Sequence, residues 1–274
     1  MPTRSFCALL VVALRHVRAR DSVIGIRGLL WLTLLLVSAP AGAETLRLAS
    51  NAWPPYSDKR LHEDGLSVDL IRTALGRAGY QVDYIEVPWE RAVLGLKSGA
   101  YDLLNGWPTA NRSSYVRSSR PFLTNRMRWV KRRTSNIHYD GLESLIPHRI
   151  ALSRGYVSNE AVENDPRLNK GYAANFVQAA NMLIARRVDL TLEDERTALF
   201  HFSRELERVS DALEFVPGEF SMLDLSLVVR NSHPQQADII AAFNREIAAM
   251  IEDGSYAAIF LRHGLPVPDA KSER

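Results

Sequence analysis

The feature that most constrains this chain is its alternation of short apolar strands with amphipathic helices. Leu46–Ala49 reads as a strand. Leu66, Leu70, Ile71, Ala74 and Ala78 then fall on one helical face, and Gly79 stops that helix. Val82–Val87 is a second strand, stopped by Pro88. Residues 89–98 form a second helix, closed by Gly99. Leu103–Leu104 and Met127–Lys131 are further strands. This βαβαβ order predicts a parallel sheet covered by helices. A second series follows. It has strands at 149–152, 188–192 and 223–229, a helix over 176–187, and a long amphipathic helix over 234–252 that ends at Asp253-Gly254. Basic Lys131-Arg-Arg133 and polar Thr134-Ser-Asn136 read as a passage between two lobes.

The N-terminus indicates the compartment. Four arginines (15, 18, 20 and 27) precede the apolar run Leu29–Val37, and small residues follow at Ala41 and Ala43. This pattern predicts a secretory signal peptide over 1–43, cut before Glu44. The apolar run is too short for a stable membrane anchor. The formal charge of the whole chain is +3. Removing residues 1–43 leaves 29 basic and 30 acidic residues, so the basic excess gives no support for nucleic-acid binding. The single cysteine, Cys7, goes with the signal, and the exported chain needs no disulfide. Its 231 residues can bury a sizeable core.

One segment carries chemistry. Leu103–Arg112 puts a strand end, a Gly-Trp-Pro turn and Thr109 ahead of Arg112. A loop–helix junction with an arginine offers an anion both free N–H donors and a guanidinium fork. The same residues also fit a plain helix cap at Thr109 and a solvated charge at Arg112. In the second series, Asp189–Asp194 ends an apolar strand on a carboxylate. An arginine in one half and an acid in the other suit the two ends of a zwitterion. Trp53, Trp89 and Trp107 follow strands one, two and three, where ligands of open α/β sheets sit. Trp129 lies inside a strand and reads as core. Arg91 reads as a solvated or bridging charge. The seven histidines show no metal-ligand spacing, and no phosphate loop or catalytic triad pattern is visible, so no cofactor is expected.

Several motifs together resemble the extracytoplasmic solute-binding proteins of the polar amino-acid type. They are Trp53-Pro-Pro-Tyr56, Gly65–Leu70, Gly99-Ala-Tyr-Asp102, Thr109-Ala-Asn-Arg112, Ser119-Arg-Pro-Phe122, Arg149–Gly155, Arg187-Val-Asp189 with Glu193-Asp194, and Asp253-Gly-Ser-Tyr256. The resemblance covers residues 44–265. It implies a two-lobed α/β fold of the periplasmic-binding-protein type, with two crossover strands and the ligand clamped between the lobes. Lobe one is expected over 44–131 with 225–274, and lobe two over 132–224. It further implies Arg112 as the carboxylate ligand, Asp194 as the amino ligand, with Glu193 and Glu195 as alternatives for that role, and Trp53 and Trp89 as platforms. Gly155 and Tyr156 would lie in a turn offering backbone N–H groups, with Trp107 and Thr109 completing the site. Trp107 stands where such proteins carry a small hydroxyl residue, and Tyr156 and Val157 stand where hydroxyls are usual. The implied function is periplasmic binding of a small zwitterion by a monomer that serves a membrane ABC permease. Two alternatives belong to other classes. One is a cyclohexadienyl dehydratase-like enzyme, with Glu86, Glu90 or Glu193 as acid. The other is a sensor that presents its closed form to a receptor.

Overall fold

A computed structural model describes residues 44–109, 112–154, 160–218 and 220–267, so the expected signal peptide lies outside the described residues. The first lobe starts with β1 (Thr45–Ser50), α1 (Leu66–Arg77), β2 (Gln81–Glu86), α2 (Trp89–Ser98) and β3 (Leu103–Gly106). β1 pairs in parallel with both β2 and β3, as the βαβαβ reading requires. β4 (Val116–Arg132) then runs for 17 residues. The second lobe adds β5 (Arg149–Ser153), α3 (Glu160–Asn164), β6 (Asn169–Ala173), α4 (Phe176–Ile184), β7 (Leu190–Asp194), α5 (Glu195–Phe202) and β8 (Leu213–Phe215). β9 (Ser221–Arg230), α6 (Gln236–Glu252) and α7 (Ser255–Arg262) close the chain.

The antiparallel pair β4–β9 is shared by both lobes. Hydrogen bonding therefore runs in the order β2-β1-β3-β9-β4-β7-β5-β6, with β8 beside β4. The register of β4 against β9 shifts around Pro121, which has no N–H to give the ladder. Phe122 and Leu123 pack into the core of the first lobe, whereas Met127 and Trp129 pack into the core of the second. The switch between lobes thus falls at 124–126. Lys131 and Arg132, at the start of the expected passage, are the last residues of β4. Lys131 is buried against Glu214 and the Ser135 carbonyl, and Arg132 donates to the carbonyls of Leu183 and Val188.

The first lobe buries α1 and α6 on one face of its sheet, around Leu70, Ile71, Phe243 and Ile247. α2 covers the other face through Ala92 and Leu96. α1 opens at Gly65, whose φ is +102°. A Cβ there would lie 2.6 Å from the Tyr56 carbonyl oxygen, so the tight approach of the Trp53–Tyr56 turn to the helix start requires glycine. The carbonyl of Tyr56 accepts from the Ser67 N–H and the Ser67 hydroxyl, which fixes the turn.

Candidate functional site

The three tryptophans reach one rim of the first lobe's sheet because each follows the carboxyl end of a parallel strand. Trp53 lies just beyond β1, Trp89 opens α2 directly after β2, and Trp107 follows β3. Trp53 and Trp107 meet edge to face with centroids 5.6 Å apart, and Trp53 also lies 4.3 Å from the Tyr56 ring. Trp107 packs against the cores of both lobes, which puts it at their junction. The Trp89 ring sits over Gly106, where a Cβ would come within 3.1 Å of it.

Arg112 is built into this rim. Its Nε donates to the Thr109 hydroxyl at 2.7 Å, and one terminal nitrogen donates to the Trp107 carbonyl at 2.8 Å. Its guanidinium carbon stands 5.4 Å from the Trp89 ring centre, a cation–π placement. Burial pulls its pKa below the ordinary arginine value. Among the described residues it pairs with no carboxylate. The half-buried guanidinium is thus held in place by two neutral acceptors and carries a charge that no described carboxylate balances. The Thr109 hydroxyl orients Arg112, the Thr109 carbonyl accepts the Arg112 N–H, and residues 113–115 turn into β4.

Asp194 ends β7 in the second lobe and is wholly buried. One carboxylate oxygen accepts from the Tyr56 hydroxyl at 2.8 Å and from the Thr197 N–H at 3.0 Å, which caps α5. The other accepts from Asn125 Nδ2 at 3.2 Å. The Asn125 carbonyl oxygen in turn accepts from the Trp107 indole N–H at 2.8 Å. Burial raises the Asp194 pKa, opposed by the Thr197 N–H, the Tyr56 hydroxyl and the nearby Arg196 charge. Burial also pushes the Tyr56 phenol well above its ordinary value, with the Asp194 charge adding to it. Arg196 is anchored on the Thr124 carbonyl and lies 5.6 Å from the Phe260 ring centre. The chain Trp107–Asn125–Asp194–Tyr56 therefore bridges the two lobes.

The structure thus brings Trp53, Trp89, Trp107, Thr109 and Arg112 together, and sets Asp194 inside the interlobe network. Gly155 and Tyr156 lie outside the described residues. Glu195 is engaged by Arg128 at 2.7 Å and Arg126 at 3.1 Å, and Glu193 accepts the Asp194 N–H. Trp129 is core against Phe220, and Arg91 is exposed. Sequence reasoning missed three network members. Tyr56 stood inside the Trp53-Pro-Pro-Tyr56 motif but reads as one more core aromatic. Asn125 sits in the unread half of β4, and Arg196 is a first-turn arginine with no pattern around it. Among the described residues no cluster of three or more His, Cys, Asp or Glu side chains is placed to hold a metal ion.

The whole arrangement matches solved structures closely in shape and weakly in sequence. A histidine kinase sensor domain with similarity to periplasmic binding proteins superposes with a TM-score of 0.71 at 22% identity, covering 83% of this chain and 99% of that one. An ancestral arginine-binding protein bound to arginine gives 0.67 at 23% identity, covering 81% and 98%. An ancestral amino acid-binding protein, a precursor of cyclohexadienyl dehydratase, gives 0.65 at 21% identity, covering 80% and 94%. No curated protein matches the chain. At such identities the likeness shows the two-lobed fold and no more. The sequence itself matches a family over residues 46–265, nearly all that follows the expected signal peptide, and the chain belongs to the bacterial extracellular solute-binding proteins, family 3.

Proposed function

We propose that the exported chain is a monomeric periplasmic receptor for a small polar solute bearing a carboxylate, which it carries to an ABC-type permease. The observation that carries this reading is Arg112: half-buried, pre-oriented by Thr109 and the Trp107 carbonyl, backed by Trp89, and without a carboxylate partner among the described residues. A ligand carboxylate supplies the missing counter-charge through two parallel N–H···O bonds. Trp53 and Trp89 offer apolar faces to the rest of the solute. Residues 1–43 are removed as a signal peptide, and no described helix is long and apolar enough to cross a membrane. The division expected from sequence is kept with one change. The first lobe takes the segment up to the 124–126 switch together with β9 from Leu225 onward, and the second takes what lies between. Two crossing strands then permit hinge closure on the solute.

Binding is favoured over catalysis by the state of the neighbouring acids. Glu86 accepts the Lys59 N–H, Glu90 is exposed, and Glu193 accepts the Asp194 N–H. None combines depth in the cleft with freedom to pass a proton to a leaving group. The reading is tested by non-denaturing mass spectrometry of protein purified from periplasm, followed by identification of the released molecule. A retained carboxylic acid that dissociates unchanged is the expected result. A retained neutral or purely cationic solute, or a product differing from the compound supplied, would defeat it.

A further inference from the structure

The anion anchor has a consequence for which carboxylates fit, and that consequence rests on the carboxylate reading above. A zwitterionic amino acid needs a negative group for its ammonium. The acid tied to the rim from the second lobe is Asp194, and its oxygens already accept from Tyr56, Thr197 and Asn125. It has no exposed surface. Its charge is further balanced by Arg196, which is held in place by the Thr124 carbonyl. Glu195 is bound by two arginines. The face of Trp89, which would otherwise attract a cation, lies beside the Arg112 guanidinium. The indole N–H of Trp107 is spent on Asn125. Among the described residues the rim therefore carries a surplus positive charge at Arg112, with Asp194 enclosed in the interlobe network.

The geometry points to a carboxylate ligand without an α-ammonium group, a simple organic acid rather than an amino acid, with Tyr56 as the residue that sets this preference by capping Asp194. An ammonium brought to this rim would lose its water and meet the repulsion of Arg112, while Asp194 already accepts from three protein donors that it would have to share or displace. A Tyr56 hydroxyl released from Asp194 would itself be left unpaired in the interior, so displacing it to admit the ammonium is costly.

Calorimetric titration of the full mature protein with matched pairs tests this. The pairs are 3-phenylpropanoate against phenylalanine, 5-guanidinopentanoate against arginine, and glutarate against glutamate. In whichever pair binds, the acid lacking the amino group should bind at least tenfold tighter than the amino acid. Tyr56→Phe, which removes the hydroxyl that caps Asp194, should shift that ratio at least threefold toward the amino acid, with circular dichroism confirming the fold. A ratio below tenfold in the parent, or no shift in Tyr56→Phe, overturns the inference while the carboxylate reading stands. Failure of every carboxylate in all three pairs counts against both, so the two failures are told apart.

Discussion

At the scale of single residues, Arg112 is held by neutral acceptors and an aromatic ring, whereas Asp194 is held by three hydrogen-bond donors. Of the two, only Asp194 is wholly buried and bonded to elements of both lobes. Asp194→Ala removes the cap of α5 and strands the Tyr56 hydroxyl in the interior. Losing a cap costs about 0.5–2 kcal/mol and an orphaned buried hydroxyl about 1–3 kcal/mol. Urea unfolding should therefore show a loss of roughly 1.5–5 kcal/mol for Asp194→Ala, on the sum of those two effects. A loss below about 0.5 kcal/mol, the level of an ordinary surface change, would show that the interlobe network holds nothing together. Arg112 was legible in the sequence because a strand end, a turn and an arginine lie within ten residues of one another. Tyr56 was not, since its partner Asp194 is 138 residues away and only folding brings the two together. Asn125 and Asp194, 69 residues apart, were hidden for the same reason.

At the scale of elements, legibility followed the strength of the local pattern. β1, α1, α2 and α6 show clear apolar stripes with glycine stops, and the structure forms them where the periodicity put them. β4 was legible only in its last residues. Its first half alternates poorly through Ser118-Ser119-Arg120, and Pro121 interrupts the ladder. β6 is a mostly exposed or half-exposed polar edge, and α5 is short and mixed, so neither has a stripe to read. α7 was missed although its terminus is firmly tied down. Asp69 on α1 accepts from Arg262 at 2.7 Å and lies 2.8 Å from His263 Nε2. Burial pushes the Asp69 carboxyl upward, but the His263 and Arg262 contacts outweigh it and leave its pKa lowered. A carboxylate with a lowered folded pKa stabilises the fold above its unfolded pKa, about 3.9, and loses that contribution as pH falls through the lower folded value. Asp69→Asn should therefore cost about 1.5–3 kcal/mol near neutral pH, the scale of hydrogen bonds to a charged group. The gap to the parent should close as both are acidified below the ordinary carboxylate range. Thermal unfolding followed from neutral to strongly acidic pH checks this, and a gap that stays constant with pH would exclude the ionic role.

At the scale of the whole molecule, the two lobes share one hydrogen-bonded strand order and join through the β4–β9 pair. Trp107 touches both cores, the β4–β9 pair changes lobes at 124–126, and the Asp194 network closes the gap. The two-lobed plan could be read from the strand–helix order and from the resemblance. The point of passage could not, because it lies within a single unbroken strand. The central claim is that Arg112 is the anion anchor of a solute cleft. Titration calorimetry on the mature protein with the carboxylate it retains, parent against Arg112→Ala, tests that claim most directly. Losing one partner of a buried charge pair costs about 2–5 kcal/mol, so affinity should fall by roughly 30-fold to several thousand-fold while unfolding of the empty protein stays nearly unchanged. An Arg112→Ala protein that binds within threefold of the parent would contradict the account.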